Sequence, residues 1–178
     1  MARWIALLRG VNLGRANRVA MADVRAAFTA LGWRQVRSIG QSGNLLFEAD
    51  GVISDLEESG ETVLRDRLRL KTFVVVRSAP TWQAMIAANP FAAEAAADPA
   101  RLVAVMLKGS ANPAAEAALA ALSRRERARV IDHTAYIYYP DGQAGSPVAG
   151  AGLDRALGTP GTARNWNTVL KLAEAVAG

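Results

Sequence analysis

The chain of 178 residues is the size of one average domain or two small ones, and its mix of 51% hydrophobic and 21% charged residues argues against disorder and against a membrane protein. It has no cysteine, which excludes disulfides and thiolate metal sites, and it has neither an apolar run near the roughly 20 residues of a membrane span nor a signal peptide, so a cytoplasmic protein is predicted. The net charge of +5 is concentrated near the N-terminus, where residues 1–40 hold seven arginines against one acid; this excess favours an anionic partner, and a genome rich in arginine codons would explain it equally well.

The first half of the chain is predicted to alternate strands and helices. In chain order we expect a strand at residues 4–8, a helix at 21–31, a hairpin of strands at 35–39 and 45–47, a helix from Ser54, a strand at 72–76 and a short helix from Ser78. The helix from Ser54 is expected to begin with a capping box that pairs Ser54 with Glu57. This order of elements is the split βαβ arrangement of ferredoxin-like domains.

A similar order begins again after a predicted connector at residues 93–100. It comprises a strand at 102–107, an alanine-rich helix at 112–122, a hairpin at 129–132 and 135–139, and a weak helix at 146–157. The last element has helical spacing from Trp166 onward and is predicted to be a helix in place of a fourth strand. The fold class is therefore α+β, with two ferredoxin-like units at residues 1–92 and 101–178, the second ending in a C-terminal helix.

This fold predicts one binding edge. With strand order 4-1-3-2, the first strand ends beside the hairpin that joins the second and third strands, so residues 9–14 and 41–44 should meet. The first helix should begin at the same edge and add its positive dipole end. The candidate ligand-binding residues there are Arg9, Gly10, Asn12, Gly14, Gln41, Ser42 and Asn44.

The expected ligand at this edge is an anionic small molecule such as a nucleotide phosphate. Nucleic acid has weaker support, because Phe47 and Phe73 are the main candidates for base stacking on a ferredoxin-like sheet and both could be buried. Glycine and asparagine also occur in such loops for backbone conformation alone, and residues 10–14 match neither a Walker loop nor a dinucleotide fingerprint. A small cofactor-free enzyme and a protein-interaction module with no small ligand are the alternative hypotheses.

No catalytic residue, cofactor or metal site is assigned from the sequence. His133 is expected to be a solvated residue in a hairpin turn. The acids between Asp55 and Glu61 lie at the start of one predicted helix, where the helix dipole alone accounts for them.

Four stretches together resemble a known family: residues 9–14, the helix at 21–31, residues 41–44 and residues 162–168. They are similar to the signatures of the bacterial domain-of-unknown-function family 1697. The resemblance implies a cytosolic protein of two ferredoxin-like units without an established activity, so it carries over no catalytic residue. The chain departs from the family pattern at Arg15 and at Ile39 and Gly40, all at the proposed edge.

The late stretch suggests a second polar cluster. If Thr162 caps the last helix, Arg164, Asn165 and Asn167 lie in its first turns, where they could hold an anion. The alternative is a capped helix whose asparagines satisfy buried loop groups between the two halves.

Overall fold

The computed structural model describes residues 1–13 and 17–178, and these residues form two compact units. The first unit comprises Met1–Gln83 together with Leu172–Gly178, and the second comprises Ala84–Lys171. One predicted site residue, Gly14, lies outside the described residues. Among the helices of the described residues, none has the length and apolar character that crossing a membrane requires.

The first unit contains one four-stranded antiparallel sheet. Its elements are β1 Ala2–Leu8, α1 Met21–Thr29, β2 Arg34–Ser38, β3 Asn44–Ala49, α2 Ile53–Leu68 and β4 Val74–Ser78, followed by α3 Ala79–Ala87. The strand order is β2-β3-β1-β4, with β1 antiparallel to both of its neighbours. The predicted ferredoxin-like arrangement is therefore confirmed for this unit.

The core of the first unit lies between one face of the sheet and the two helices α1 and α2. Alternate residues of β1, including Trp4 and Leu8, are buried with Phe28 of α1 and Leu64 of α2. Phe47 of β3 is also in this core, 2% exposed and stacked on Trp33 with ring centroids 4.0 Å apart. Phe47 is therefore a packing residue and is not available for base stacking.

Helix α2 begins differently from its prediction. Val52 is the N-cap and no side chain caps the helix, so the predicted capping box of Ser54 and Glu57 is wrong. The carboxylate of Glu57 instead accepts the backbone N–H of Val76 at 2.9 Å, and Glu61, one turn later, accepts that of Val74 at 3.0 Å. Because β4 is an edge strand, its outer N–H groups would otherwise be unpaired, and satisfying them outweighs closing a capping box.

Glu57 also faces a buried cation. Glu57 is 5% exposed and Arg77 is 7% exposed, and their Oε1 and guanidinium nitrogen are 3.9 Å apart. Burial lowers the pKa of Arg77, and the Glu57 charge works against that shift. The pair joins α2 to β4 inside the unit, so these charges belong to the fold and not to a surface acidic cluster.

The second unit repeats the strand order of the first. Its elements are α4 Ala92–Ala97, a short 3-10 helix Pro99–Arg101, β5 Leu102–Leu107, α5 Ala115–Leu122, β6 Arg127–Ile131, β7 Thr134–Tyr138, α6 Gly150–Leu157 and β8 Gly161–Asn165. The last helix, α7 Trp166–Ala177, begins in this unit, and its residues from Leu172 onward belong to the first unit. The sheet order is β6-β7-β5-β8, with all pairs antiparallel. The chain is thus an α+β protein of two repeated units whose last element is a C-terminal helix.

Strand β8 was not expected from the sequence, and the prediction that the second unit lacks a fourth strand is wrong. β8 pairs only with β5, with Thr162 opposite Met106 and Arg164 opposite Ala104. Its polar composition carries little strand signal because an edge strand buries few of its side chains. Gly161 packs so closely that an added Cβ would lie 2.8 Å from a methyl carbon of Val105.

Candidate functional site

Two backbone turns of the first unit meet at the end of β1. The N–H of Leu8 donates to the carbonyl of Gly43 at 2.8 Å, and the side-chain amide of Asn12 donates to the carbonyl of Gln41, also at 2.8 Å. Gly43 has φ +74°, and an added Cβ would lie 2.6 Å from a methyl carbon of Val11. The turn after β1 and the β2–β3 hairpin turn are therefore side by side, as the sheet topology predicts.

Two of the predicted site residues have structural roles at this edge. Asn12, with φ +56°, also donates to the carbonyl of Val19 at 3.0 Å and accepts the Val19 N–H at 2.9 Å. Asn44 is 3% exposed, and its amide donates to the carbonyl of Ile39 at 3.2 Å. Both asparagines therefore stabilise the loop backbone, which agrees with the alternative that these residues serve backbone conformation alone.

Other predicted residues lie at the surface of the same edge. Gln41 and Ser42 are exposed in the hairpin turn, and Arg9 is partly exposed. Gly10 has φ +65°, which glycine adopts without strain. The ends of β1 and of the hairpin thus place one guanidinium, one amide and one hydroxyl at the same edge of the sheet.

A third segment, not predicted from the sequence, joins these turns just before β4. The N–H of Arg9 donates to the carbonyl of Phe73 at 3.2 Å, and the hydroxyl of Thr72 donates to the carbonyl of Arg9 at 2.6 Å. The Arg9 guanidinium carbon lies 5.4 Å from the centroid of the Phe73 ring, a cation–π distance. The strand order could have predicted this contact, because a fourth strand that is antiparallel to β1 and next to it must begin where β1 ends.

We call this edge the rim and define it as the described residues within 9–20, 40–44 and 69–73. These three stretches contain five cationic residues and no acid: Arg9, Arg15, Arg18, Arg69 and Lys71. Arg18, Arg69 and Lys71 are exposed, and Arg15 lies outside the described residues. Helix α1 starts beside the rim, but Asp23 in its first turn offsets the positive helix end. The arginine and lysine side chains therefore make the rim positive.

The late cluster belongs to the second unit. Thr162 and Arg164 lie in β8, so the prediction that Thr162 caps the last helix is wrong. Asn165 takes that role, since its side-chain oxygen accepts the N–H of Thr168 at 3.0 Å. Arg164 donates to the hydroxyl of Thr162 at 2.9 Å, burial lowers its pKa to about 10, and Asn167 is exposed. Asn165 thus has a structural role at the junction of strand and helix.

The pKa values of Glu94 and Glu126 are both lowered, so both carboxyl groups are poor candidates for acid–base catalysis. A hydrogen bond from its own backbone, followed by one from Arg127, lowers the pKa of Glu94. A hydrogen bond from Ser146 lowers the pKa of Glu126 to about 2. A catalytic carboxyl near neutral pH usually needs the opposite shift. His133 is exposed in the turn between β6 and β7, as predicted.

Comparison with known proteins places the chain in a family. The family model described as a protein of unknown function (DUF1697) matches residues 1–136. The chain belongs to the DUF1697 family. The matched part of this DUF1697 protein includes the whole rim, whereas Arg164, Asn165 and Asn167 lie beyond it.

A solved structure shares the fold of this DUF1697 protein. It is a conserved bacterial protein from Streptococcus pneumoniae, 24% identical, with a TM-score of 0.75 and 98% of each chain covered. Because the identity is low, this similarity shows the architecture and not an activity. A comparison with curated proteins finds no significant match.

Proposed function

We propose that this DUF1697 protein is a cytoplasmic binding protein that holds a phosphate-like anion at the rim. The observation that carries the proposal is the meeting of three rim segments at one sheet edge, where the described residues include four cationic residues and no acid. Cations gathered at one edge create a positive potential that attracts anions. The corresponding edge of the second unit has an acid, Asp132, in its hairpin turn.

Arg9 is the residue we expect to contact the ligand directly. Its backbone is fixed by the bonds to Phe73 and Thr72, and its guanidinium lies over the Phe73 ring. A guanidinium held in this way loses less conformational entropy on binding and can donate two parallel hydrogen bonds to a phosphate. The exposed side chains of Gln41 and Ser42 would add neutral polar groups that orient the anion.

Binding is favoured over catalysis by the composition of the rim. Its three stretches contain no histidine, aspartate or glutamate, which are the usual general acids and bases. Glu94 and Glu126 lie in the second unit, and the pKa of each carboxyl group is lowered. We therefore propose that the rim holds its anion without transforming it.

The test is a ligand-induced shift in melting temperature, measured with inorganic phosphate, pyrophosphate and a panel of nucleotides. Wild type should melt at a higher temperature with at least one of these ligands, because a ligand that binds only the folded state stabilises it. Arg9→Ala should lose most of that shift, and Arg9→Lys should retain part of it. The comparison uses the shift and not the absolute melting temperature, because removing the contact with Phe73 also affects stability.

The matched control is Arg34→Ala, which removes the same charge from the same unit. Arg34 is exposed and is the first residue of β2, at the end of the strand away from the hairpin turn. Its backbone lies opposite that of Glu48 in β3. It should keep the wild-type shift. The proposal is wrong if no phosphate or nucleotide shifts the wild type, or if Arg9→Ala and Arg34→Ala respond alike.

A further inference from the structure

We infer that the second unit binds a small carboxylic acid at the edge of its sheet, in a cavity between α5 and β6. This site lies in a different unit from the rim and does not depend on the proposed function. The cavity has a volume of about 400 Å³, and its walls include Phe91, Glu116, Ala120, Ser123, Ala128 and Arg129.

The first unit closes the corresponding part of its sheet with side chains of its own. Glu57 and Glu61 are one turn apart on α2, and they accept the N–H groups of Val76 and Val74 at 2.9 and 3.0 Å. One turn forward along the helix thus corresponds to two residues backward along the edge strand. Two carboxylates of the protein therefore occupy the edge of β4.

The second unit begins the same arrangement and leaves it incomplete. Glu116 of α5 accepts the N–H of Val130 at 2.7 Å, so that N–H points away from β7. The register of β6 with β7 is regular, so the N–H of Ala128, two residues earlier, points to the same side. The residue of α5 one turn after Glu116 is Ala120, whose side chain has no acceptor. In the part of the chain that the structure describes, no atom accepts the N–H of Ala128.

A carboxylate is the group that completes this edge. The bonds made by Glu57 and Glu61 show that two carboxylates one turn apart are compatible with such an edge, so a ligand carboxylate can lie beside Glu116. Arg129 donates to Glu116 at 3.2 Å through one nitrogen, and its side chain is 62% exposed. The N–H of Ala128 would bind one oxygen of the ligand, and the guanidinium of Arg129 would bind the other.

The other charged groups near the cavity already have partners. Glu126, a further wall residue, accepts the backbone N–H groups of Arg124 and Arg125 at 2.7 and 3.1 Å. Arg127 pairs with Glu94. The backbone N–H of Ala128 is therefore the donor that the cavity leaves for a ligand.

The rest of the cavity suits a small ligand with an apolar body. Phe91, Ala120 and Ala128 contribute apolar surface to its walls. A molecule of liquid water takes up about 30 Å³, so the cavity has the volume of about a dozen water molecules. This volume is in the range of small-molecule sites and fits an acid of the size of benzoate.

The test follows the amide signal of Ala128 in NMR spectra of the isotope-labelled full chain. Acetate, succinate and benzoate are added in turn at constant pH, with sodium chloride as the control for ionic strength. At least one acid should move the Ala128 signal downfield to saturation, and the signal of Val130 should move less because Glu116 already bonds that N–H. The matching amide, such as benzamide for benzoate, should bind about tenfold more weakly, because hydrogen bonds to a charged acceptor are stronger.

Ala120→Glu supplies the missing carboxylate from the protein itself. Its side chain should accept the N–H of Ala128 as Glu61 accepts that of Val74. Hydrogen exchange at Ala128 should therefore slow by about tenfold, and the acids should no longer move its signal. Ala121→Glu adds the same charge at the next, exposed position of α5, and it should leave both the exchange and the titration as in wild type.

Three results would overturn the inference. The first is that none of the acids moves the Ala128 signal to saturation, or that the neutral amide moves it equally well. The second is that Ala120→Glu leaves exchange at Ala128 unchanged, which would mean that the two edges are not equivalent. The third is that Ala120→Glu still responds to the acids, which would place the ligand elsewhere. None of these results bears on the phosphate experiments, because the rim lies in the first unit.

Discussion

The two units use one scaffold at the end of their first strand. In the first unit the N–H of Leu8 donates to the carbonyl of Gly43 at 2.8 Å. In the second unit the N–H of Leu107 donates to the carbonyl of His133, also at 2.8 Å. The next residue along each chain, Arg9 or Lys108, then bonds the segment that precedes the fourth strand. The backbone framework of the two edges is therefore the same.

The chemistry on that framework differs. The hairpin turn of the first unit is long and neutral, and the neighbouring stretches are cationic. The turn of the second unit has only Asp132 and His133 between its strands, with Asp132 at φ 51°. An acid at this position adds a negative charge to the edge that holds Lys108, so the second edge is less positive than the rim. Repetition of the strand order thus repeats the fold, while the loops decide which edge is suited to an anion.

The units also close their sheet edges differently, and this difference gives the largest predicted effect. Glu57 is buried beside Arg77, so Glu57→Gln should cost about 4 kcal/mol by leaving that guanidinium without its counter-charge. In the second unit Glu116 bonds the N–H of Val130 at 2.7 Å, but its side chain is 42% exposed. Glu116→Gln should therefore cost about 0.5 kcal/mol. Urea denaturation measures the free energy of unfolding of both variants. The predicted difference is wrong if both variants lose less than about 1 kcal/mol relative to wild type.

The second prediction compares the two hairpin turns. Gly43→Ala should lose about 3 kcal/mol, because alanine is strained at φ +74° and its Cβ would lie 2.6 Å from a carbon of Val11. His133 bears the equivalent carbonyl and is exposed, so His133→Ala should change stability by about 0.5 kcal/mol or less. Thermal unfolding followed by circular dichroism measures both. Similar losses would mean that the close packing of the first turn does not distinguish the units.

The third prediction concerns the asparagines that fix each junction. Asn12→Ala removes three hydrogen bonds that hold the rim turns together and should cost about 2 kcal/mol. Asn165→Ala removes the cap of α7 and should cost about 1 kcal/mol. Amide hydrogen exchange provides the local readout: the N–H of Val19 should lose protection in the first variant and that of Thr168 in the second. Unchanged exchange at Val19 would contradict the structural role of Asn12.

The sequence was sufficient to predict the sheet and the meeting of its turns. The apolar run that became β1 has no helical spacing, and the two strands of the hairpin flank a stretch of turn-forming residues. Once the element order is known, handedness and short connections leave few arrangements, so the contact between the turns of Asn12 and Gln41 follows from topology. In this unit the residue pattern and the chain connectivity predict the same arrangement of strands.

The features that the sequence did not predict have a different physical origin, because each depends on a contact with a residue that is distant in sequence. Glu57 resembles an ordinary residue of a helix start, and its partner Val76 is 19 residues away. The threonine and asparagine of β8 precede an apolar helix, so they match a capping signal as well as an edge strand. Thr72 and Phe73 belong to the rim only through their bonds to Arg9. Tertiary contacts, and not local propensity, decided all three.

The smallest predicted effect is a pH dependence that belongs to the second unit. Ser146 donates to Glu126, and the backbone N–H groups of Arg124 and Arg125 add two more bonds, at 2.7 and 3.1 Å, so the pKa of this carboxyl falls from 4.5 to about 2. A group whose pKa is lower in the folded state contributes stability above its unfolded pKa and loses it as the pH falls through the folded value. The partly exposed position of Glu126 keeps that contribution small.

Glu126→Gln should therefore melt slightly below wild type at pH 6, and the difference should shrink as the pH falls from about 4.5 toward about 2. Other carboxyl groups titrate over the same range in both proteins, so only the difference between the two melting curves reports on Glu126. Ser146→Ala should reproduce part of the effect, because it removes the bond that contributes most to the shift. A difference that stays constant over this range would mean that the hydrogen bonds stabilise the loop equally well without the charge.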